Sequence, residues 1–170
     1  MERVRSRQLR QLIANNVMRR HTLLYYIGLA LLLVACNDST VYSCYRHVPA
    51  SGWEKNDNLL FTVPPVKQDG QYSEELGIRI DNTYPFMGLT LIIDQTVFPS
   101  LEMKSDTLNC SLIGEDGVVK GKGVSHYQYV FPLTTLTLYK GDSLSITIRH
   151  DMKREILPGV TDIGMILNRQ

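Results

Sequence analysis

Apolar residues recur with a period of two along most of the chain, and no convincing helical period appears after residue 40. Leu59, Phe61 and Val63 form one such set, and Leu76, Ile78 and Ile80 another, with Gly77, Arg79 and Asp81 at the odd positions. Leu89, Leu91 and Ile93 follow, then Leu108, Cys110 and Leu112, Tyr127, Tyr129 and Phe131, and Leu136 and Leu138. Leu144, Ile146 and Ile148 alternate with serine, threonine and arginine, and Ile163, Met165 and Leu167 close the chain. Successive side chains of a strand face opposite sides, so this pattern gives each segment one core face and one wet face. Turn signals separate the sets. Asp116-Gly117 reads as a hairpin turn with positive φ at both residues, and Lys140-Gly141-Asp142 reads in the same manner. Pro64-Pro65, Pro85, Pro99, Pro132 and Pro158-Gly159 end or interrupt strands, because proline cannot donate to a ladder. Eight or nine short strands at this spacing predict an all-β fold, an antiparallel β-sandwich with a jelly roll among its forms. His150 to Gly159 is the one segment that reads as a short helix or a structured loop.

The first 35 residues have a different character. Arg3, Arg5, Arg7, Arg10, Arg19 and Arg20 precede an apolar run of 13 residues, Leu23 to Ala35. A helix needs roughly 20 residues to cross a bilayer, so this run suits the apolar core of a secretory signal instead. The leader is long for such a signal, and Met18 would make a more ordinary start. The run ends on Leu33-Val34-Ala35-Cys36, which has the form of a bacterial lipobox. The Cys36 thiol is the nucleophile that can take a thioether-linked diacylglycerol, the small Ala35 admits a peptidase, and the freed amine can take another acyl chain. Two or three chains hold a protein on a membrane, where one holds it marginally. The expected organisation is a signal peptide over 1–35, a lipidated tether over 36–40 and one β-sandwich domain over 41–170.

After Cys36 there are 12 basic and 16 acidic residues, a mildly acidic balance with no electrostatic reason to bind nucleic acid. Cys44 and Cys110 could form a disulfide in an oxidising compartment; both also read as small buried apolar residues, and the second reading is favoured. Catalytic and metal patterns are weak. Gly114 to Gly123 lacks the Gly-Lys-Ser/Thr ending of a phosphate loop and reads as a turn with a bulged strand edge. His47, His126 and His150 have no second histidine or cysteine at ligand spacing, and His126 and His150, at strand ends, are expected to be solvated. No Gly-x-Ser-x-Gly elbow is present. Trp53 and the tyrosines could stack on sugar rings, although most of them are expected in the core.

In order and spacing these motifs resemble the gliding-motility-associated lipoproteins of Bacteroidetes, the GldH family. The resemblance rests on Trp53, Lys55, Asp57 and Phe61; on Arg79, Asn82, Tyr84 and Pro85; on Asp106, Leu108, Leu112, Gly117, Gly121 and Gly123; and on Met152, Leu157, Pro158, Gly159, Val160, Asp162 and Gly164. Lys153 departs from it where an arginine is expected, as do Val118-Val119 where a tryptophan is common. The resemblance implies a lipid-anchored cell-envelope protein without enzymatic activity, whose relatives serve a motility apparatus tied to secretion across the outer membrane. It implies no cofactor, no metal and no small-molecule substrate, with the membrane and other envelope proteins as partners. A docking role directs attention to Trp53, to Asn82, Tyr84 and Pro85, and to Lys153, Arg154, Pro158 and Gly159. The alternative is a surface lipoprotein module that binds glycan through Trp53 or a row of exposed tyrosines.

Overall fold

The computed structural model describes residues 39–170; the leader and Cys36 lie outside the described residues. Among the described residues eleven strands are present: β1 Thr40–His47, β2 Trp53–Glu54, β3 Leu59–Val63, β4 Gly70–Asp81, β5 Gly88–Phe98, β6 Glu102–Ser111, β7 Lys122–Gly123, β8 His126–Leu138, β9 Ser143–His150, β10 Ile156–Leu157 and β11 Val160–Arg169. One sheet has the order β1-β11-β4-β8-β7, the other β3-β9-β5-β6, and β10 pairs with β2. All pairings are antiparallel. With the two-residue strands set aside, eight strands lie in two sheets of four, in the interleaved order of a jelly roll.

The alternating sets form the interior. Leu76 and Ile78 of β4, Ile146 and Ile148 of β9, and Ile163, Met165 and Leu167 of β11 are wholly buried. Burying one such side chain contributes about 1.5–3 kcal/mol. Strand β8 corrects the expectation that Pro132 breaks a strand in two. Ser73 pairs with Thr135 and Glu75 with Pro132, so one residue of β4 faces two of β8. This bulge shifts the inward phase from Tyr129, Phe131 and Leu133 to Leu136 and Leu138, with Pro132 exposed beside it.

Local chemistry explains other joints. Tyr45 of β1, Gly164 of β11 and Gly77 of β4 are opposite one another. The Tyr45 ring covers both glycines; a Cβ on Gly164 would meet its ring at 2.5 Å. The Arg79 guanidinium stacks 4.1 Å above the same ring. In the loop after β6, Gly114 O accepts from Gly117 N at 2.9 Å, and only Gly117 has positive φ, at 78°. Asp116 does not share it. Its carboxylate instead accepts from Val118 N at 3.0 Å, so this is a turn followed by one left-handed glycine.

The registers sort the loops into two ends. Thr40 faces Asn168, Gly70 faces Leu138, and the Tyr139–Asp142 turn leads into Ser143, which faces Phe98. Thr40, residues 64–69, residues 99–101 and residues 139–142 therefore share the end at which the chain enters. Residues 48–58, 82–87, 112–125 and 151–159 share the opposite, far end. Strands of eight to twelve residues put roughly 30 Å between the two.

Candidate functional site

The two segments singled out for docking are brought together at the far end. Asp81 begins the first: its carboxylate accepts from Thr83 N at 2.7 Å and from Thr83 Oγ1 at 2.6 Å, fixing the turn into Tyr84. Tyr84 is buried, donates its hydroxyl to Gly88 O at 2.8 Å and meets Phe86 edge-on at 5.8 Å. Burial pushes its hydroxyl pKa well up. Gly159 O accepts from Asp81 N at 2.8 Å, and Gly159, at φ 79°, packs on the Tyr84 backbone.

Residues 151–159 form the structured loop rather than a helix. Strand β10 places Ile156 opposite Glu54 and Leu157 opposite Trp53. Lys55 ties it further, donating its amide to Glu155 O at 2.8 Å and its ammonium to Met152 O at 3.0 Å. Trp53 is wholly buried under this loop and donates Nε1–H to Asp57 O at 2.9 Å. His150 is also wholly buried, against expectation. Its Nε2 donates to Trp53 O at 3.0 Å, its Nδ1 accepts from Met152 N at 3.4 Å, and its ring meets the indole at 5.3 Å. Burial holds its pKa low, and both nitrogens are committed in the neutral form.

Two of the proposed surface residues are thus corrected. Trp53 and Tyr84 are core residues, and no aromatic platform can form from them. Pro158 and Gly159 are half-buried and shape the loop. Asn82, Pro85, Lys153 and Arg154 are exposed, as are Met87 and Ile156 in the same two segments. Asp151 and Glu155 are exposed in the same loop, so the far-end loops present apolar residues and charges of both signs on a tightly bonded frame.

A second polar feature lies inside the sandwich. Glu74 of β4 is buried and faces Gln95 of β5; with its nitrogen turned toward the carboxylate, the Gln95 amide donates to Oε2 at 3.0 Å and Oε1 at 3.1 Å. Burial pushes the Glu74 carboxyl up to about 7, with Lys104 pulling it down and Asp106 pushing it up. A shallow hollow of about 580 Å³ between the β6 and β8 edges reaches Gln95. Among the described residues, no group of three His, Cys, Asp or Glu side chains is placed to hold a metal ion. Cys44 and Cys110 are free thiols, on β1 and β6, outer strands of different sheets.

The sequence profile of the GldH lipoprotein family matches residues 40–167. The chain belongs to the GldH lipoprotein family. A Flavobacterium johnsoniae relative called "Gliding motility lipoprotein GldH" is 27% identical over 153 residues, covering 83% of this chain and 92% of its own. Among solved structures, a family GH115 4-O-methyl-α-glucuronidase overlaps 79% of this chain and 18% of its own at 16% identity and TM-score 0.42. The globular domain of zebrafish complement 1qA overlaps 75% and 96% at 15% identity and TM-score 0.41. In this GldH-family chain, Trp53, Lys55, Tyr84, Met152, Leu157 and Gly159 all lie in the bonded far end, where their contacts are structural.

Proposed function

We propose that this GldH-family chain is a non-catalytic lipoprotein, anchored through lipid on Cys36, that docks to other envelope proteins of a gliding-motility or secretion assembly. The name of the Flavobacterium relative supports the setting. The observation that carries docking is the surface of Asn82, Pro85, Met87, Lys153, Arg154 and Ile156, held on a frame of buried Trp53, Tyr84 and His150. Specific residues on loops positioned by a rigid scaffold are the usual means of recognition. The ionisable groups that could suggest catalysis have structural occupations: His150 is bonded at both ring nitrogens and Glu74 is held by Gln95 inside the core. The glycan alternative needed an exposed Trp53 or a row of exposed tyrosines; Trp53 is inside, and among the described tyrosines Tyr139 alone is exposed.

Capture from solubilised envelopes tests the docking surface. The tagged wild-type protein is expected to bring down a reproducible set of envelope proteins, and a K153E/R154E double variant to lose them while remaining folded and membrane-bound. Equal recovery by the variant overturns the assignment of this surface.

A further inference from the structure

We infer that the entry end of the sandwich rests on the lipid bilayer itself, with the β5–β6 hairpin and the β8–β9 turn seated at its interface. The inference deepens the anchoring read above and rests on it. Cys36 precedes Thr40 by four residues, which reach at most about 14 Å even when fully extended. Thr40 lies at the same end as the hairpin and the turn. A bilayer holding Cys36 therefore lies close to that end, whereas the far end stands roughly a strand length away.

The chemistry of the end fits a lipid surface. The hairpin tip holds Leu101 at 59% exposure and Met103 at 78%, next to half-exposed Phe98 and to Pro99. Tyr139, 63% exposed, lines the same hollow as Pro99. An apolar ring with a polar tip is the side chain that favours the membrane interface. Leu101 has φ 59°, a left-handed conformation that glycine or asparagine adopts at less cost. Its side chain stays mostly exposed within the domain, so little burial offsets that cost; insertion between headgroups would supply it. Lys67 and Lys140 lie exposed in the neighbouring loops of this end, outside the ion pairs of the described residues, with stems that can lie along lipid while the ammonium stays wet; Asp69, Glu102 and Asp142 share the end, so it is the apolar side chains and not net charge that fit it to lipid.

Depth-dependent quenching tests this on the mature lipoprotein, purified in detergent and reconstituted into vesicles whose phosphatidylcholine is brominated on the upper acyl carbons. The wild type carries one tryptophan, Trp53, buried at the far end, and its emission should be unchanged by bromine. The additional emission of Phe98→Trp should fall by about half or more, since interfacial side chains sit about 5–10 Å into the headgroup region. That of Val124→Trp, exposed at the far end, should not fall. Met103→Trp gives a second reporter should Phe98→Trp fold poorly. Unquenched added emission from both the Phe98→Trp and the Met103→Trp variants, in protein that floats with the vesicles, overturns the inference and leaves the anchor standing. Quenching at both ends overturns it as well, because the domain then lies on its side. A dimer of the lipoprotein in detergent by light scattering, lost in the Met103→Glu variant, puts a second copy on this end and overturns it too. Failure of the wild type to float defeats the anchoring itself, and the inference with it.

Discussion

Gly159 packs against the backbone of Tyr84, so closely that a methyl group there would lie 2.6 Å from Tyr84 Cα and 2.8 Å from its Cβ. This contact joins the two loops of the far end. Gly159→Ala must therefore displace the Tyr84 turn and also hold an L residue at φ 79°. The left-handed backbone alone costs about 1–2 kcal/mol, and the steric conflict adds to it. Gly141 provides the comparison, with φ 99° and open space where its Cβ would be. Urea unfolding should show Gly159→Ala the more destabilised of the two variants, with Gly141→Ala near the backbone cost alone. Equal losses would mean that the contact with Tyr84 carries no weight.

Trp53 is the sole tryptophan, wholly buried, with its Nε1–H bonded to Asp57 O. Its emission should be blue-shifted and resistant to iodide until the protein unfolds. Trp53→Ala should cost about 3–5 kcal/mol, the range for removing a large aromatic from a core. Ready quenching by iodide in the native protein would place the indole outside.

Glu74 makes stability depend on pH. Its carboxyl rises from 4.5 to about 7 on folding, through burial. Between those values the unfolded chain has released a proton that the folded chain keeps, so stability falls as pH rises through the window and levels off above about 7. At 1.36 kcal/mol per pH unit the loss is about 3 kcal/mol. Glu74→Gln should remove this slope and be the more stable protein at pH 8. Parallel stability curves for the two proteins from pH 4.5 to 8 would contradict the assignment.

Cys110 is buried, and burial pushes its thiol up to about 12. Cys44 is half-buried on an edge strand. A thiol reagent added to the native protein should modify Cys44 slowly and leave Cys110 unmodified. In denaturant both should react, each as a free thiol. A native protein with no titratable thiol even after unfolding would show that the two had paired.

The sheets are legible in the sequence because alternation is local. Leu76, Ile78 and Ile80 need only their own spacing to declare an inward face, and the same spacing carried back two residues reaches Glu74. The charge hides it; its partner Gln95 lies on another strand. Strand β1 is hard to see because it is a sheet edge, mostly exposed, and its place depends on Gly164 and Gly77 receiving the Tyr45 ring. His150 reads as solvated, and Trp53 as a candidate for a docking surface, for one reason: their sequence neighbours are polar, and the cover over them is the 151–159 loop and β10, contacts that no local window contains. The segments proposed for docking are legible as unusual loops. Their convergence is not, since it depends on β11 returning beside β4 to set Gly159 against Tyr84.

On this reading the molecule has a polarity, with lipid at the entry end and protein partners at the other. Intact mass measurement of the protein extracted from envelopes tests the root of that polarity most directly. The predicted result is a chain that starts at Cys36 and carries a thioether-linked diacylglycerol there. A chain with an unmodified cysteine, or one retaining residues 1–35, would contradict it.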